Sequence, residues 1–401
     1  MAGYELLSDL TVVEMTGHRA GPFCGALLAD MGAEVVKIER PGAGDPARSQ
    51  GVGPEGRSGY FMANNRNKKS VTLDLKTDAG TEAALSLLGK ADVFVENFGH
   101  GVVDKLGIGY EDVAERNPSI VYASIKGYGE TGPLRAKPGL DLILQAEGGI
   151  MSVTGPEGGE PVKVGQAVGD LTAGMFAAIG VLGRLYERDR TPAGEFNGKF
   201  DVGLYDAIVT LLNEYLTEYS MTGSVPGPQG QSHQTLVPYQ VFDTADGAVV
   251  TGVPSDDRWG DFVDMLGREE LLEYGTNAER REHRETVVGI IQEEFAERDT
   301  DHWLQTLTEY GFPNGPINDV GDVATHEQTR ARGLTERVED PDWGEFDLPG
   351  HPLRYPEYDD ESVVRTPAPR LGEHTEDVFA GVAGDQSTLD EWVEGDAFGP
   401  D

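Results

Sequence analysis

The run Ala167-Val168-Gly169-Asp170-Leu171-Thr172-Ala173-Gly174-Met175 sets one carboxylate between a glycine and a stretch of small, apolar residues. At its ordinary pKa of about 3.9 an aspartate is ionised at neutral pH, and its carboxylate can attack an activated carbonyl. The same pattern describes an aspartate that caps a helix, and from local pattern alone the cap is the commoner reading. Two arginines offer the complementary charge. Arg19 lies in the loop Gly17-His18-Arg19-Ala20-Gly21-Pro22, and Arg40 follows the β-rich run Glu34–Glu39. Cations beside strand ends and helix N-termini can hold an anion such as the phosphate of an adenine nucleotide.

Other chemistries lack their residues. The turn after the first β-rich run is not G-x-G-x-x-G, and Pro22 removes a backbone N–H that a pyrophosphate would use, which argues against a nicotinamide dinucleotide. There is no G-x-S-x-G elbow, no Walker A lysine and no H-E-x-x-H, and the eight histidines show no ligand spacing, so no metal is expected. Cys24 is the only cysteine, which rules out a disulfide framework within the chain and reads as a small residue packed in a helix.

The 401 residues, 38% of them hydrophobic, can build two or three core-forming units. Seventy acidic residues against 32 Lys and Arg give a formal net charge of −38, which makes nucleic acid an improbable partner. The acids are dispersed through the chain, the pattern of a solvating coat on a protein from a cell rich in salt. All ten lysines fall between Lys37 and Lys199, and the expectation is that those retained hold an anion. The start MAGYELLSDL lacks a signal-peptide pattern, and no uninterrupted apolar run nears the roughly 20 residues of a membrane span, so a cytoplasmic protein without membrane association is expected.

Stepping along the chain, LTVVEM (Leu10–Met15), EVVKIE (Glu34–Glu39), SVTLDL (Ser70–Leu75), DVFVEN (Asp92–Asn97) and IVYASIKG (Ile120–Gly127) read as strands alternating with helices, hence an α/β fold with a parallel sheet. After Asp170, Met175, Ile179, Leu182 and Tyr186 recur at helical spacing, and a second helix is expected from about Leu204 to Tyr219; both are expected to pack on the sheet. A Gly, Pro and Ser-rich segment marks a linker at 221–235, after a first part spanning 1–220. Residues 236–325 follow as a smaller α+β domain with a hairpin turning at Asp246-Gly247, and 326–401 form a return segment.

The chain resembles the class III CoA-transferase family, which includes formyl-CoA:oxalate transferase, carnitine CoA-transferase and the α-methylacyl-CoA racemases. The blocks that carry the likeness are AGPFCGALLADMGAEVVKIERPGAGDPAR (Ala20–Arg48), NKKSVTLDLK (Asn67–Lys76), ENFGHGVVDKLG (Glu96–Gly107), ASIKGYGETGP (Ala123–Pro133) and AVGDLTAGM (Ala167–Met175), with later similarity in Gly311–Gly333 and Ala368–Val378. The resemblance implies a Rossmann-like large domain built from both chain ends, which binds CoA, and an interlocked homodimer. It places the nucleophilic carboxylate on Asp170, and the CoA contacts on His18, Arg19, Ala20, Arg40, Leu73, Lys76, Asn97, Phe98, Val102, Lys105 and Lys126. The implied reaction moves CoA between carboxylic acids through an aspartyl anhydride and an aspartyl-CoA thioester, with acyl-CoA as substrate and no further cofactor. Backbone N–H groups of Gly148, Gly149, Gly227 or Gly230 are candidates for stabilising the tetrahedral oxyanions.

Two rival readings are weighed. The racemases of the family use a His in a G-H-D block, but here the block reads Gly139-Leu140-Asp141, and leucine cannot exchange a proton. A non-catalytic CoA-binding protein would have no need of Gly169-Asp170. His18 and Arg19 would suit a dicarboxylic acid by pairing with its second carboxylate, or Arg19 serves the CoA phosphates only. The acidity together with the blocks resembles haloarchaeal members of the family that take CoA from succinyl-CoA to mesaconate in the methylaspartate cycle. Citramalate, malate, itaconate or oxalate as acceptor, and transfer within one dicarboxylate, stay open.

Overall fold

Consecutive apolar residues set the sheet, because strands covered on both faces need such side chains pointing both ways. In the computed structural model, which describes residues 4–53, 58–192, 194–340, 344–358 and 361–399, the strands are β1 (Thr11–Met15), β2 (Glu34–Glu39), β3 (Lys68–Thr72), β4 (Val93–Glu96), β5 (Val121–Lys126) and β6 (Lys199–Gly203). All are parallel, in the order β3-β2-β1-β4-β5-β6. The α/β fold with a parallel sheet is therefore as expected. β3 runs from Lys68 to Thr72 rather than over the expected Ser70–Leu75, because it pairs with β2 from Val35 opposite Lys68 to Glu39 opposite Thr72. β6 went unrecognised in NGKFDVG, which is short and flanked by glycines.

The helices of this first unit are α1 (Ala20–Asp30), α2 (Gly59–Asn65), α3 (Asp78–Leu88), α4 (Val102–Lys105), α5 (Tyr110–Arg116), α6 (Asp141–Glu147), α7 (Val168–Arg188) and α8 (Leu204–Leu211); α9 (Asn213–Thr222) starts in it, after a break at Asn213, and continues into the second. One sheet face packs Val12, Val93, Val121 and Ile125 against Cys24 and Leu28 of α1 and Ala173, Ala177 and Val181 of α7. The other packs Val13, Val36, Val71 and Phe94 against Ala83, Leu87 and Leu88 of α3, together with Phe379 and Trp392 from the chain's end.

α7 corrects the expected packing. Met175, Ile179 and Tyr186 face outward, at 44%, 62% and 64% exposure, with Phe176 and Leu182 beside them, while the small residues Ala173, Ala177 and Ala178 face the sheet. Close packing decides this: a Cβ on Gly174 would lie 2.7 Å from the Ala20 carbonyl oxygen, so the helix meets α1 along its smallest residues. By length and mean hydropathy α7 would also serve as a membrane span. Its apolar character is an average rather than an uninterrupted run, and its alanine face is that of a core helix.

Contacts divide the chain into two units: 1–150, 164–216 and 327–401 form one, and 151–163 with 217–326 the other. In the second unit β7 (Tyr239–Asp243) and β8 (Ala248–Gly252) form the hairpin at Asp246-Gly247. The helices α10 (Trp259–Leu266), α11 (Asn277–Glu282), α12 (Arg284–Phe295) and α13 (Thr300–Glu309), the strand β9 (Asn314–Pro316) and α14 (Val320–Thr325) complete it around Phe242, Phe262, Phe295 and Trp303. The chain then returns to the first unit as α15 (Glu327–Ala331), the antiparallel pair β10 (Thr335–Asp340) and β11 (Gly344–Pro349), α16 (Thr375–Ala383) and α17 (Gln386–Glu394).

Candidate active site

The strand order opens a crevice at the carboxyl ends of β1 and β4, where the chain departs to opposite sides of the sheet; in open α/β sheets ligands bind at such a switch point. A cleft of about 370 Å³ occupies this place, lined by Thr16, Gly17 and His18 after β1, by Ile38, Glu39 and Arg40 at the end of β2, by Gly44–Pro46, and by Asn97, Phe98 and Gly99 after β4. Four of the expected CoA contacts, His18, Arg40, Asn97 and Phe98, are thus brought together. His18 and Arg40 are exposed, and Arg40 has no carboxylate partner among the described residues. Asn97 is already engaged: its side chain accepts from Gly17 N and donates to Gly17 O, both at 2.8 Å.

The other expected contacts sit differently. Lys126 is buried, its ammonium 2.5 Å from Glu96 Oε1 and 2.8 Å from the Phe98 carbonyl oxygen, so it shapes the loop after β4. Leu73 is 2% exposed in the core and Ala20 is buried in the first turn of α1. Lys76, Val102 and Lys105 lie outside the cleft lining, and the two lysines are exposed without carboxylate partners among the described residues. The wider expectation for the lysines needs correcting: Lys37, Lys68, Lys69, Lys126, Lys137 and Lys199 all pair with the protein's own carboxylates. A retained lysine more often neutralises an interior or neighbouring acid here than awaits a ligand.

Asp170 is the third residue of α7, not its cap: the N-cap position is Ala167, which makes no side-chain capping bond. Capping comes from a residue the sequence reading passed over. Asp141 Oδ1 accepts from Gly169 N at 2.8 Å and from Asp170 N at 3.3 Å, while its Oδ2 takes a hydrogen bond from Gln145 Nε2 at 2.6 Å. Gly169 permits this approach, since a Cβ there would lie 2.9 Å from Asp141 Oδ1. Half-buried Asp170 has its pKa pushed up to about 6, by burial first and by the Asp141 charge second, with Arg19 and His18 pulling the other way. The carboxylate remains mostly ionised at neutral pH and is more basic than an exposed aspartate.

Arg19 is the residue just ahead of α1, and its charge acts on Asp170. Its Nη1 donates to Gln166 Oε1, and its guanidinium lies over the Tyr60 ring, 4.6 Å from the centroid. Gln166, Tyr60 and Asp141 carry no local signature; they are 20 or more residues from the groups they serve and become neighbours only through the fold. The candidate oxyanion donors are mostly engaged: Gly148 N donates to Leu144 O, Gly149 N to Ala146 O and Gly230 N to Gly155 O. Burial and the Glu14 charge push the Cys24 thiol up to about 12, which leaves it unreactive. Leu140, in the racemase base position, is an exposed side chain just ahead of α6.

Residues 7–375 match the family model described as CoA-transferase family III. The chain is 39% identical over 389 residues to succinyl-CoA:mesaconate CoA-transferase of Haloarcula hispanica, covering 94% of this chain and 96% of that one. It is 37% identical over 382 residues to succinyl-CoA:glutarate CoA-transferase of Mus musculus, covering 94% and 86% respectively. Among solved structures, a CaiB/BaiF family protein from Brucella suis superposes with a TM-score of 0.82 at 33% identity, over 95% of this chain and all of the other.

Proposed function

The chain belongs to CoA-transferase family III and is a class III CoA-transferase, and on that premise we propose that it carries CoA from succinyl-CoA to mesaconate or a similar dicarboxylate, with Asp170 as the covalent nucleophile. What supports this reading most is the half-buried Asp170 carboxylate in the first turn of α7, with Asp141 bonded to its backbone N–H and its pKa raised to about 6. It would attack the thioester carbonyl and expel CoA thiolate, giving a mixed anhydride of Asp170 and the donor acid. The thiolate would then attack the aspartyl carbonyl, release the donor carboxylate and leave an aspartyl-CoA thioester. The acceptor carboxylate reverses both steps and departs as acyl-CoA. One thioester is broken and one formed, so neither nucleoside triphosphate nor metal enters the balance.

Arg19 supports a dicarboxylate. A guanidinium near the nucleophile can pair with the second carboxylate of succinyl and mesaconyl groups, and a charge-assisted bond of this kind contributes about 1.5–3 kcal/mol. Two named relatives, from Haloarcula hispanica and Mus musculus, likewise join succinyl-CoA to a dicarboxylic acid. The CoA portion is assigned to the cleft at β1, β2 and β4, with His18, Arg40 and Phe98 as contacts. Racemisation lacks a base, because position 140 is leucine.

The exposed stripe Met175, Ile179, Leu182 and Tyr186 supports a homodimer that covers it, and the charge of −38 supports a cytoplasm rich in salt. Sedimentation should give twice the chain mass in molar KCl and loss of the folded dimer in dilute buffer; a monomer in KCl, or a stable dimer without salt, contradicts the corresponding reading. The reaction itself is tested by mass spectrometry of the acyl-CoA pool in molar KCl. Mesaconyl-CoA and succinate should appear in equal amounts from succinyl-CoA and mesaconate. Exchange with glutarate or citramalate alone would replace the acceptor, and no exchange with any acid would overturn the reading.

A further inference from the structure

Three consecutive residues after β1 are each gripped by a different side chain. Lys37 Nζ donates to Thr16 O at 2.7 Å, Asn97 holds both backbone groups of Gly17, and Asp45 Oδ1 accepts from His18 N at 3.0 Å. The last grip matters most, because His18 has φ 62°, a left-handed conformation that side chains other than glycine avoid. That kink turns the strand into α1, whose first residue is Ala20, and so decides where the His18 and Arg19 side chains go.

Asp45 is an unusual residue to find here. It belongs to the wall of the cleft that holds His18 and Arg40, where a free carboxylate would repel the phosphates of CoA. Its charge is instead directed inward: Oδ2 lies 3.1 Å from Lys37 Nζ, both side chains are fully buried, and Lys37 is shared with Glu14 at 3.4 Å. Oδ1 accepts a second backbone bond, from Ala47 N at 2.9 Å, which anchors the loop after β2 to the same atom. One carboxylate oxygen therefore joins the loop after β1 to the loop after β2, and the other is neutralised by a lysine rooted in β2.

We propose that Asp45 is a positioning residue for CoA transfer: it holds His18 in the left-handed turn that presents His18 and Arg19 to the substrate, and does not contact the substrate itself. This rests on the reading of Arg19 and the cleft given above. Two measurements test it, and both are informative whether or not the acid pair has been identified.

The first uses the wild-type chain. Hydrogen–deuterium exchange read on peptides spanning Thr16–Ala20 should show protected amides in the absence of substrate; exchange at the rate of an open loop overturns the proposal. The second is titration calorimetry with CoA itself, alongside kcat and KM for acyl-CoA. Asp45→Ala should weaken CoA binding and raise KM by about tenfold, and Asp45→Asn, whose amide oxygen can accept both backbone bonds but whose Nδ2 then faces the Lys37 ammonium, should recover part of that loss. Combined with Arg19→Ala, the Asp45→Ala loss should be smaller than in the wild-type background, since both act through one turn. An Asp45→Ala chain within twofold of wild type, or losses that multiply in full, would overturn the assignment. If Asp45→Ala does not fold, the exchange experiment decides alone. A wild-type chain that binds CoA but transfers to no acid would sink the transferase reading while leaving the Asp45 test standing.

Discussion

Asp45 and Asp170 both flank the His18-Arg19 turn, yet their surroundings give them opposite characters. Asp45 is fully buried, ion-paired to Lys37 and bonded to two backbone N–H groups. Asp170 is half-buried, has no ion pair with a cation among the described residues, and has the carboxylate of Asp141 as its neighbour. A carboxylate whose charge is neutralised by a buried lysine and whose Oδ1 is taken by two backbone N–H groups is suited to holding structure in place. One that burial and a like charge raise to about 6 keeps a basic, available oxygen. Partners, more than burial, separate a strut from a nucleophile.

That contrast can be broken in three ways. The largest effect belongs to Asp170→Ala, which removes the carboxylate proposed to form the covalent bond: transfer should fall by about a thousandfold or more while CoA still binds. Retained turnover would move the nucleophile elsewhere. Next comes Arg19→Ala, which should raise the KM of a dicarboxylate acceptor by about 10- to 100-fold and leave a monocarboxylate nearly unaffected. Equal losses for both acids would assign Arg19 to the CoA phosphates alone.

The smallest effect is a change in pH dependence. In the proposed mechanism transfer needs ionised Asp170, so the rate should fall as pH drops through about 6. Asp141→Asn removes the like charge yet keeps an oxygen for Gly169 N and Asp170 N, so the acid limb should move to lower pH. Arg19→Ala removes an opposing charge and should move it to higher pH. Limbs that stay in place in both variants would show that Asp170 does not set them.

Much of the fold was legible because strands covered on both faces are nearly continuous apolar runs: β2 was read residue for residue as Glu34–Glu39, and the order of strands and helices followed from their alternation. The faces of α7 were misjudged because large apolar residues look like core, whereas the tight crossing at Gly174 admits only small ones. Asp170 stood out by its local pattern, but its environment did not. Asp141 is 29 residues away, Tyr60 lies in another helix, and Asp45 reads as an ordinary loop aspartate until Lys37 is found beneath it. Such pairings are properties of the folded chain, and a linear pattern holds no trace of them.

The covalent role proposed for Asp170 can be read by peptide mass spectrometry of the acid-quenched wild-type chain after mixing with succinyl-CoA. A peptide containing Asp170 should be heavier by CoA less one water, and this adduct should be absent from Asp170→Ala. An adduct on another residue, or full turnover by Asp170→Ala, would contradict it.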